Sequence, residues 1–289
     1  MIRKIPLLAL GGASLCFATM ATLARVEAAR GFDAAQLVFA RMAVGAVACL
    51  ALFMSGRAHF RFSRPWLLLA RGAFGSIAIL LYFFAITRLP VGEATLLNYT
   101  SPLFTTFFAM LFLGERPGTR PIVGLLITLS GLALTVDATS GAHFSWGLAA
   151  GIASAILSGA AVATVRSARQ TENATMIFFV FCLVAMALAG PLAVPGARLP
   201  QTRDVWLLLG IGVASALAQL LFTEAMGFVS AVSAAVMTPL TPVAAYVLGA
   251  VFLGEPLGAR ILLGMLVALG GVALGSLSPS APVPAPALE

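Results

Sequence analysis

Ten apolar stretches, most of them close to 20 residues long, follow one another along the chain with only short polar corners between them. They cover Ile5–Ala24, Leu37–Met54, Trp66–Thr87, Ala94–Leu113, Pro121–Val136, Trp146–Val165, Thr175–Val194, Val205–Phe228, Val232–Phe252 and Ala259–Leu277. An α-helix of about 20 residues spans the ~30 Å hydrocarbon core of a bilayer. In hydrocarbon every backbone amide needs a partner from the protein itself, which leaves helices and closed barrels as the spanning forms. Barrel strands alternate apolar and polar residues over about ten positions, whereas these stretches are apolar throughout and about twice as long. Composition agrees: 9% of the 289 residues are charged and 61% are hydrophobic, against about 25% charged in a soluble domain. The expected fold is an all-α integral membrane protein of ten transmembrane helices, with the lipid bilayer as its solvent.

The first stretch, MIRKIPLLALGGASLCFATMATLARV, has the basic start and apolar body of a signal peptide, but it is long enough to span. It reads as the first transmembrane helix. The tail SPSAPVPAPALE, residues 278–289, is rich in Pro and Ala and is expected to be disordered.

The net charge of +7 rests on 16 Arg and one Lys. No basic run interleaves with aromatics as a nucleic-acid surface would, so the excess reads as the Arg of cytoplasmic loops and no nucleic-acid partner is expected. With a cytoplasmic N-terminus, that side holds Arg3, Lys4, Arg57, Arg61, Arg64, Arg116, Arg120, Arg166 and Arg169. The other side holds Arg25, Arg30, Arg88, Arg198, Arg203 and Arg260. The bias places both termini in the cytoplasm. Cys16, Cys49 and Cys182 lie in apolar stretches, with no CxxC and no Cys/His cluster. Disulfides, a metal site and a cofactor are not expected.

Two charged corners match: FLGERPGTR at 112–120 and FLGEPLGAR at 252–260, at an offset of 140. The match extends over GEATLLNYTSPLFTTFFAMLFLGERPGTR, from Gly92, and VSAAVMTPLTPVAAYVLGAVFLGEPLGAR, from Val232. Pro102 falls on Pro242, Asn98 on Thr238, Gly124 on Gly264 and Gly131 on Gly271, and GGASLC from Gly11 falls on GIASAI from Gly151. Five spans separate matching points. Five is odd, so matching points lie on opposite faces, with Glu115 inside and Glu255 outside. The expected organisation is a first five-helix repeat over 1–140 and a second, inverted one over 141–277, around a central cavity. Two halves related in this way can exchange conformations, which is how many secondary transporters alternate access.

Pro102 sits about nine residues into the fourth span, and Pro242 matches it in the ninth with Pro239 one turn before. A mid-helix proline releases the carbonyl four residues back, here at Asn98, Thr238 and Ala235. Such carbonyls need a partner helix, a wet cavity or a substrate; simple kinks for packing are the alternative. Polar and aromatic residues at this depth give the candidate substrate-binding set: Tyr82, Phe83, Asn98, Tyr99, Pro102, Gln219, Thr223, Met237, Thr238 and Pro242. Aromatic walls with few hydrogen-bonding groups suit an aromatic or amphipathic small molecule. Glu224, near the end of the eighth span, either couples a proton to transport or serves as a structural acid at the interface. Arg41 and Arg71 are expected to snorkel to the interface, and Glu93 to favour the start of the fourth helix. Gly147, Gly151, Ala155 and Gly159 form a small-residue stripe suited to an internal seam or a dimer face; a monomer is expected.

No phosphate-binding loop with its lysine, no HExxH or GxSxG and no potassium-type filter is present, so the chain is not expected to be an enzyme or an ATP-driven motor. Ten short spans, two five-helix halves and the GE corners after the fourth and ninth helices resemble the drug/metabolite transporter superfamily, EamA type. Within it the chain looks most like bacterial aromatic amino-acid exporters, on overall layout and its Tyr-rich interior. The resemblance implies ten helices in inverted repeats around a central cavity and export of metabolites across a bacterial inner membrane. Ser233 stands in the second repeat where Glu93 stands in the first, so any transport role for Glu93 belongs to one half. The expected function is secondary export of amino acids, aromatic ones first, or similar amphipathic metabolites by alternating access. The alternatives are an exporter of other small drugs or metabolites, and a membrane-embedded lipid-handling protein.

Overall fold

The computed structural model describes residues 4–60, 62–86, 88, 97–135, 146–194 and 197–276. Glu93, the side chain of Phe83 and the tail 278–289 lie outside the described residues. The described residues form eleven α-helices and no strand: α1 Lys4–Ala29, α2 Ala34–Met54, α3 Pro65–Ile86, α4 Ser101–Leu113, α5 Thr119–Thr135, α6 Trp146–Ala168, α7 Ala174–Ala193, α8 Thr202–Ala225, α9 Ala231–Met237, α10 Leu240–Leu253 and α11 Ala259–Ser276. Eight segments are long and apolar enough to cross a membrane, with α9 and α10 together making one span over Ala231–Leu253. The shorter apolar helices α4 and α5 supply the other two expected spans.

The prolines do not kink continuous helices. The backbone turns at Tyr99–Thr100, and α4 starts at Ser101 with Pro102 in its first turn. In the ninth span it turns at Thr238–Pro239, and α10 starts at Leu240 with Pro242 in its first turn. Proline is tolerated in the first turn because the N–H it lacks has no helical acceptor there. The two breaks are pseudo-equivalent to within a residue.

The described residues divide into two compact units, one within 4–76 and 165–228, the other within 77–164 and 229–276. Each takes helices from both sequence halves. In the first unit α1 packs on α8, and α2 packs on α7 and α8. Asp33 and Asn173, 140 positions apart, cap α2 and α7 in the same way, accepting from the amides of Gln36 and Met176. Gly45 lies against Phe178 and Cys182, and Gly212 against Val44.

In the second unit α5 and α11 run antiparallel at very close range. A Cβ on Gly124 would overlap the Gly271 carbonyl at 2.6 Å, and one on Gly264 would meet the Gly131 carbonyl at 2.6 Å. Thr128 Oγ1 donates to its own turn at Gly124 O, 2.7 Å, and reaches Ala268 O at 3.3 Å. Residue 268 is 128 displaced by 140. Gly124 meets the equivalent of Gly131, and Gly131 meets the equivalent of Gly124. Reciprocal contact of this kind requires a local two-fold axis between the helices, so these two helices, the fifth of each repeat, are inverted copies.

The corners complete the picture. α4 and α10 end at Gly114 and Gly254, with φ of 64° and 67°, where glycine carries no Cβ penalty. The following amides fold back, Glu115 to Ala109 O at 3.2 Å and Glu255 to Gly249 O at 3.3 Å. Glu115 then accepts from the free amides of Ala231 and Val232 at 2.9 and 3.2 Å, at the start of the ninth span. A carboxylate at a helix N-terminus meets both unpaired N–H groups and the positive end of the dipole. Glu255 follows the end of that same span. The two corner glutamates therefore stand at opposite ends of one span, as the odd number of crossings requires.

The glycine contact is testable. Gly131→Ala and Gly271→Ala each force backbone apart and should cost about 1–3 kcal/mol, the usual scale of overpacking. Gly11, which has nothing within 4 Å of an added Cβ, serves as the control: Gly11→Ala should be neutral or slightly stabilising. Thermal unfolding of the three purified variants in detergent checks the contrast.

Candidate functional site

Around the Tyr99–Thr100 break, backbone groups left by the helix are taken up locally. Leu97 O accepts from the Thr100 amide at 3.1 Å and from Thr100 Oγ1 at 2.6 Å. At the other break, Ala234 O accepts from the Thr238 amide and hydroxyl, both at 3.0 Å, and Thr238 O accepts from Thr241 N at 3.1 Å. Thr100 and the Thr241 amide thus satisfy Leu97 O and Thr238 O, which a continuous helix would have bonded four residues on, while Ala234 O keeps its helical bond to the Thr238 amide.

Asn98 sits one residue before the first break. Its Nδ2 donates to Ser154 Oγ of α6 at 3.1 Å, and Ser154 Oγ donates to Ala78 O of α3 at 2.8 Å. Ser154 is fully buried. A carbonyl can only accept, so the single hydroxyl hydrogen of Ser154 is committed to Ala78 and Ser154 can only accept from Asn98. That fixes the amide orientation by chemistry: Nδ2 faces Ser154, and Oδ1 faces away and accepts from no described residue.

All three tyrosines of the chain gather near the same break. Tyr99 and Tyr246 pack on the cluster of Leu132, Val243, Met265 and Ala268. Tyr82 packs on Ala85 and Ala150. Pro102 and Pro242 are buried, while Met237 and Thr238 are half-buried at the second break. Of the sequence-expected residues, Tyr82, Asn98, Tyr99, Pro102, Met237, Thr238 and Pro242 therefore fall in this second unit beside the breaks. Ser154 was not anticipated. Its signal was faint, one serine beside the small-residue stripe of α6. That stripe is occupied internally: Gly151 faces Leu97, and Gly159 lies against Phe104 and the Thr105 amide.

Gln219, Thr223 and Glu224 lie on α8, in the first unit. Gln219 and Thr223 are buried. Thr223 O accepts from Arg169 Nε at 3.1 Å, and Glu224, 54% exposed, pairs with Arg169 at 3.1 Å. Arg169 is fully buried just beyond α6 and also donates to Glu172 O at 2.8 Å. Burial lowers its pKa and Glu224 opposes the shift. Glu172 in turn accepts from the amides of Ser63 and Arg64 at 2.6 Å each, just before α3. Arg166 donates to Met226 O at 3.0 Å. This network ties residues 63–64, 169–172 and 226–227 together. It gives Glu224 a structural partner.

A family model for EamA-like transporters matches the chain twice, over residues 4–137 and 145–277. The chain belongs to the EamA-like transporter family. Among its relatives, the pseudopaline exporter CntI of Pseudomonas aeruginosa (strain UCBPP-PA14) is 34% identical over 226 residues, which are 78% of this chain and 79% of that one. The riboflavin transporter of Brucella anthropi is 25% identical over 70% of this chain and 73% of its own. A crystal structure of a protein 21% identical superimposes with a TM-score of 0.80, covering 94% of this chain and 98% of that chain. The chain is thus a multi-pass membrane protein of a transporter family, and the two relatives above are named as an exporter and a transporter.

The relay through Ser154 makes a thermodynamic prediction. Ser154→Ala should destabilise the protein by about 1–3 kcal/mol, since it strips a buried partner from Asn98. Asn98→Ala added to Ser154→Ala should then cost little more, a coupling of at least ~0.5 kcal/mol in a double-mutant cycle. Additive losses in thermal unfolding would show that the two side chains act separately.

Proposed function

We propose that this EamA protein is a secondary exporter of amino acids, aromatic ones first, or of similar amphipathic metabolites, working by alternating access in a bacterial inner membrane with both termini cytoplasmic. The observation that carries the reading is the pair of pseudo-equivalent helix breaks beside which Asn98, Tyr99, Tyr82 and Thr238 collect. Irregular backbone at membrane depth is kept where it faces protein or a cavity rather than lipid, and broken helices at the repeat interface are where transporters hold substrate. The tyrosines supply aromatic surface for a ring or an apolar chain. The outward-facing Oδ1 of Asn98 supplies an acceptor, so the substrate offers it a donor such as an ammonium group. Tyr82, Asn98, Tyr99, Met237 and Thr238 are the contacts assigned to the substrate, with Pro102 and Pro242 setting the breaks. The relatives named for pseudopaline and riboflavin support export or transport of an organic metabolite, and leave amino acids as this proposal's own choice. Gln219, Thr223 and the possible coupling acid Glu224 remain assigned to α8, where Glu224→Gln tests coupling.

The test is flux in liposomes. Labelled phenylalanine should move through the wild-type protein, and 3-phenylpropionate, which lacks only the amino group, should move much less. Asn98→Ala should lower phenylalanine flux by about tenfold, the equivalent of one lost hydrogen bond, at unchanged expression, and should level the two compounds. Tyr99→Ala should lower both. Flux that Asn98→Ala and Tyr99→Ala leave untouched removes the assigned contacts. Absence of phenylalanine flux, with and without a pH gradient, removes the amino-acid reading.

A further inference from the structure

Two arginines in the first unit lie where arginines are not expected. Arg41 is in α2 and Arg71 in α3, both inside membrane-spanning segments. A snorkelling Arg71 would reach back toward Pro65, where α3 begins. Its guanidinium does the opposite: it lies over Gly75, one turn further into the span, where a Cβ would collide with Nη1. Arg71 is 7% exposed, and its guanidinium carbon stands 4.0 Å above the centroid of the Phe181 ring. Arg41 likewise reaches sideways, to the Met20 thioether of α1 at 3.3 Å, and its Nε is buried without a hydrogen-bond partner. Neither arginine snorkels.

The two cations share one neighbourhood. Each stands one turn before a glycine that packs on the Phe178–Cys182 turn of α7. Gly45, one turn after Arg41, faces Phe178 and Cys182; Gly75, one turn after Arg71, faces Phe181. Among the described residues no carboxylate pairs with either arginine, and a thioether and an aromatic face are their recorded polar partners. Two like charges are thus carried inside the span by helices that pack on one turn of α7, with most guanidinium N–H groups unspent. Intramembrane charges otherwise occur paired or facing an aqueous cavity, and they mark sites.

We infer that Arg41 and Arg71 form an intramembrane anion-binding site that takes one oxyanion, a carboxylate or a phosphate, from a small solute or a lipid headgroup. The planar forks of two guanidiniums match the paired oxygens of such a group, and an anion between them replaces repulsion by two attractions. The site is absent from the other repeat, where the positions 140 residues on are Phe181 and Ile211. It does not rest on the transport reading, because binding is measured on purified protein without flux.

Delipidated protein in neutral detergent is titrated with benzoate and with inorganic phosphate while thermal unfolding is followed. In parallel, native mass spectrometry compares retention of phosphatidylglycerol with that of phosphatidylethanolamine. The wild type should gain a few degrees of Tm with a soluble anion, or retain the anionic lipid several-fold over the other, or both. The first result assigns the site to a soluble oxyanion and the second to a headgroup. Arg71→Gln and Arg41→Gln should each abolish the response, and Arg71→Lys should keep part of it. Where Arg71→Gln does not fold, Arg41→Gln decides. A wild type that responds to neither source, or glutamine variants that respond as fully as the wild type, overturns the site.

Discussion

Hydrocarbon does not hydrogen-bond, and most of what this chain does follows from that. Each span must satisfy its own amides, so long apolar helices are the default and any interruption needs a local remedy. The two interruptions here have one. Thr100 turns its amide and hydroxyl back to Leu97 O, and Thr241 N reaches Thr238 O. The prolines then start fresh helices at positions where a missing N–H costs nothing. A break maintained in this way is a stable piece of architecture, and polar side chains can be carried on it at a depth that a plain helix would leave apolar.

The same constraint explains how the repeats hold together. With no hydrophobic drive between helices in lipid, association depends on close packing. α5 and α11 meet glycine to carbonyl across a local two-fold, with Thr128 bridging to Ala268. The corner glutamate reaches from the first repeat to the unpaired amides at the start of the ninth span. Both contacts join one repeat to the other within a single compact unit. The duplicated sequence therefore does not fold as two separate five-helix bodies; each compact unit is assembled from both copies.

Much of this was legible in the residues. Apolar length gave the spans, the offset of 140 gave the repeat, and the parity of crossings gave the opposed corners. Proline gave the places of the breaks but misled on their form, because a proline in the middle of an apolar run reads equally as a kink or as a fresh start. What stayed hidden depended on partners far apart in the chain. Ser154 gains meaning only when Asn98 and Ala78 close around it, and Arg169 only when Thr223, Glu172 and Glu224 do. The intramembrane arginines were visible as residues, but their direction was not: snorkelling is a matter of where a long side chain points, and Gly75 decides that by being empty.

Inverted duplication imposes equivalence on the backbone and leaves side chains free to diverge. The capping residues Asp33 and Asn173 and the corners at Gly114 and Gly254 have kept the same geometry at the same offset. Polar and charged residues in the spans have not: Asn98 faces Thr238 in the alignment, Arg41 faces Phe181 and Arg71 faces Ile211. Under the proposed alternating access, the two halves need matched geometry, since each adopts in turn the shape of the other. A ligand has no such symmetry. The contacts assigned to it in the proposed function, Asn98 from one half and Thr238 from the other, are unlike residues at matched breaks.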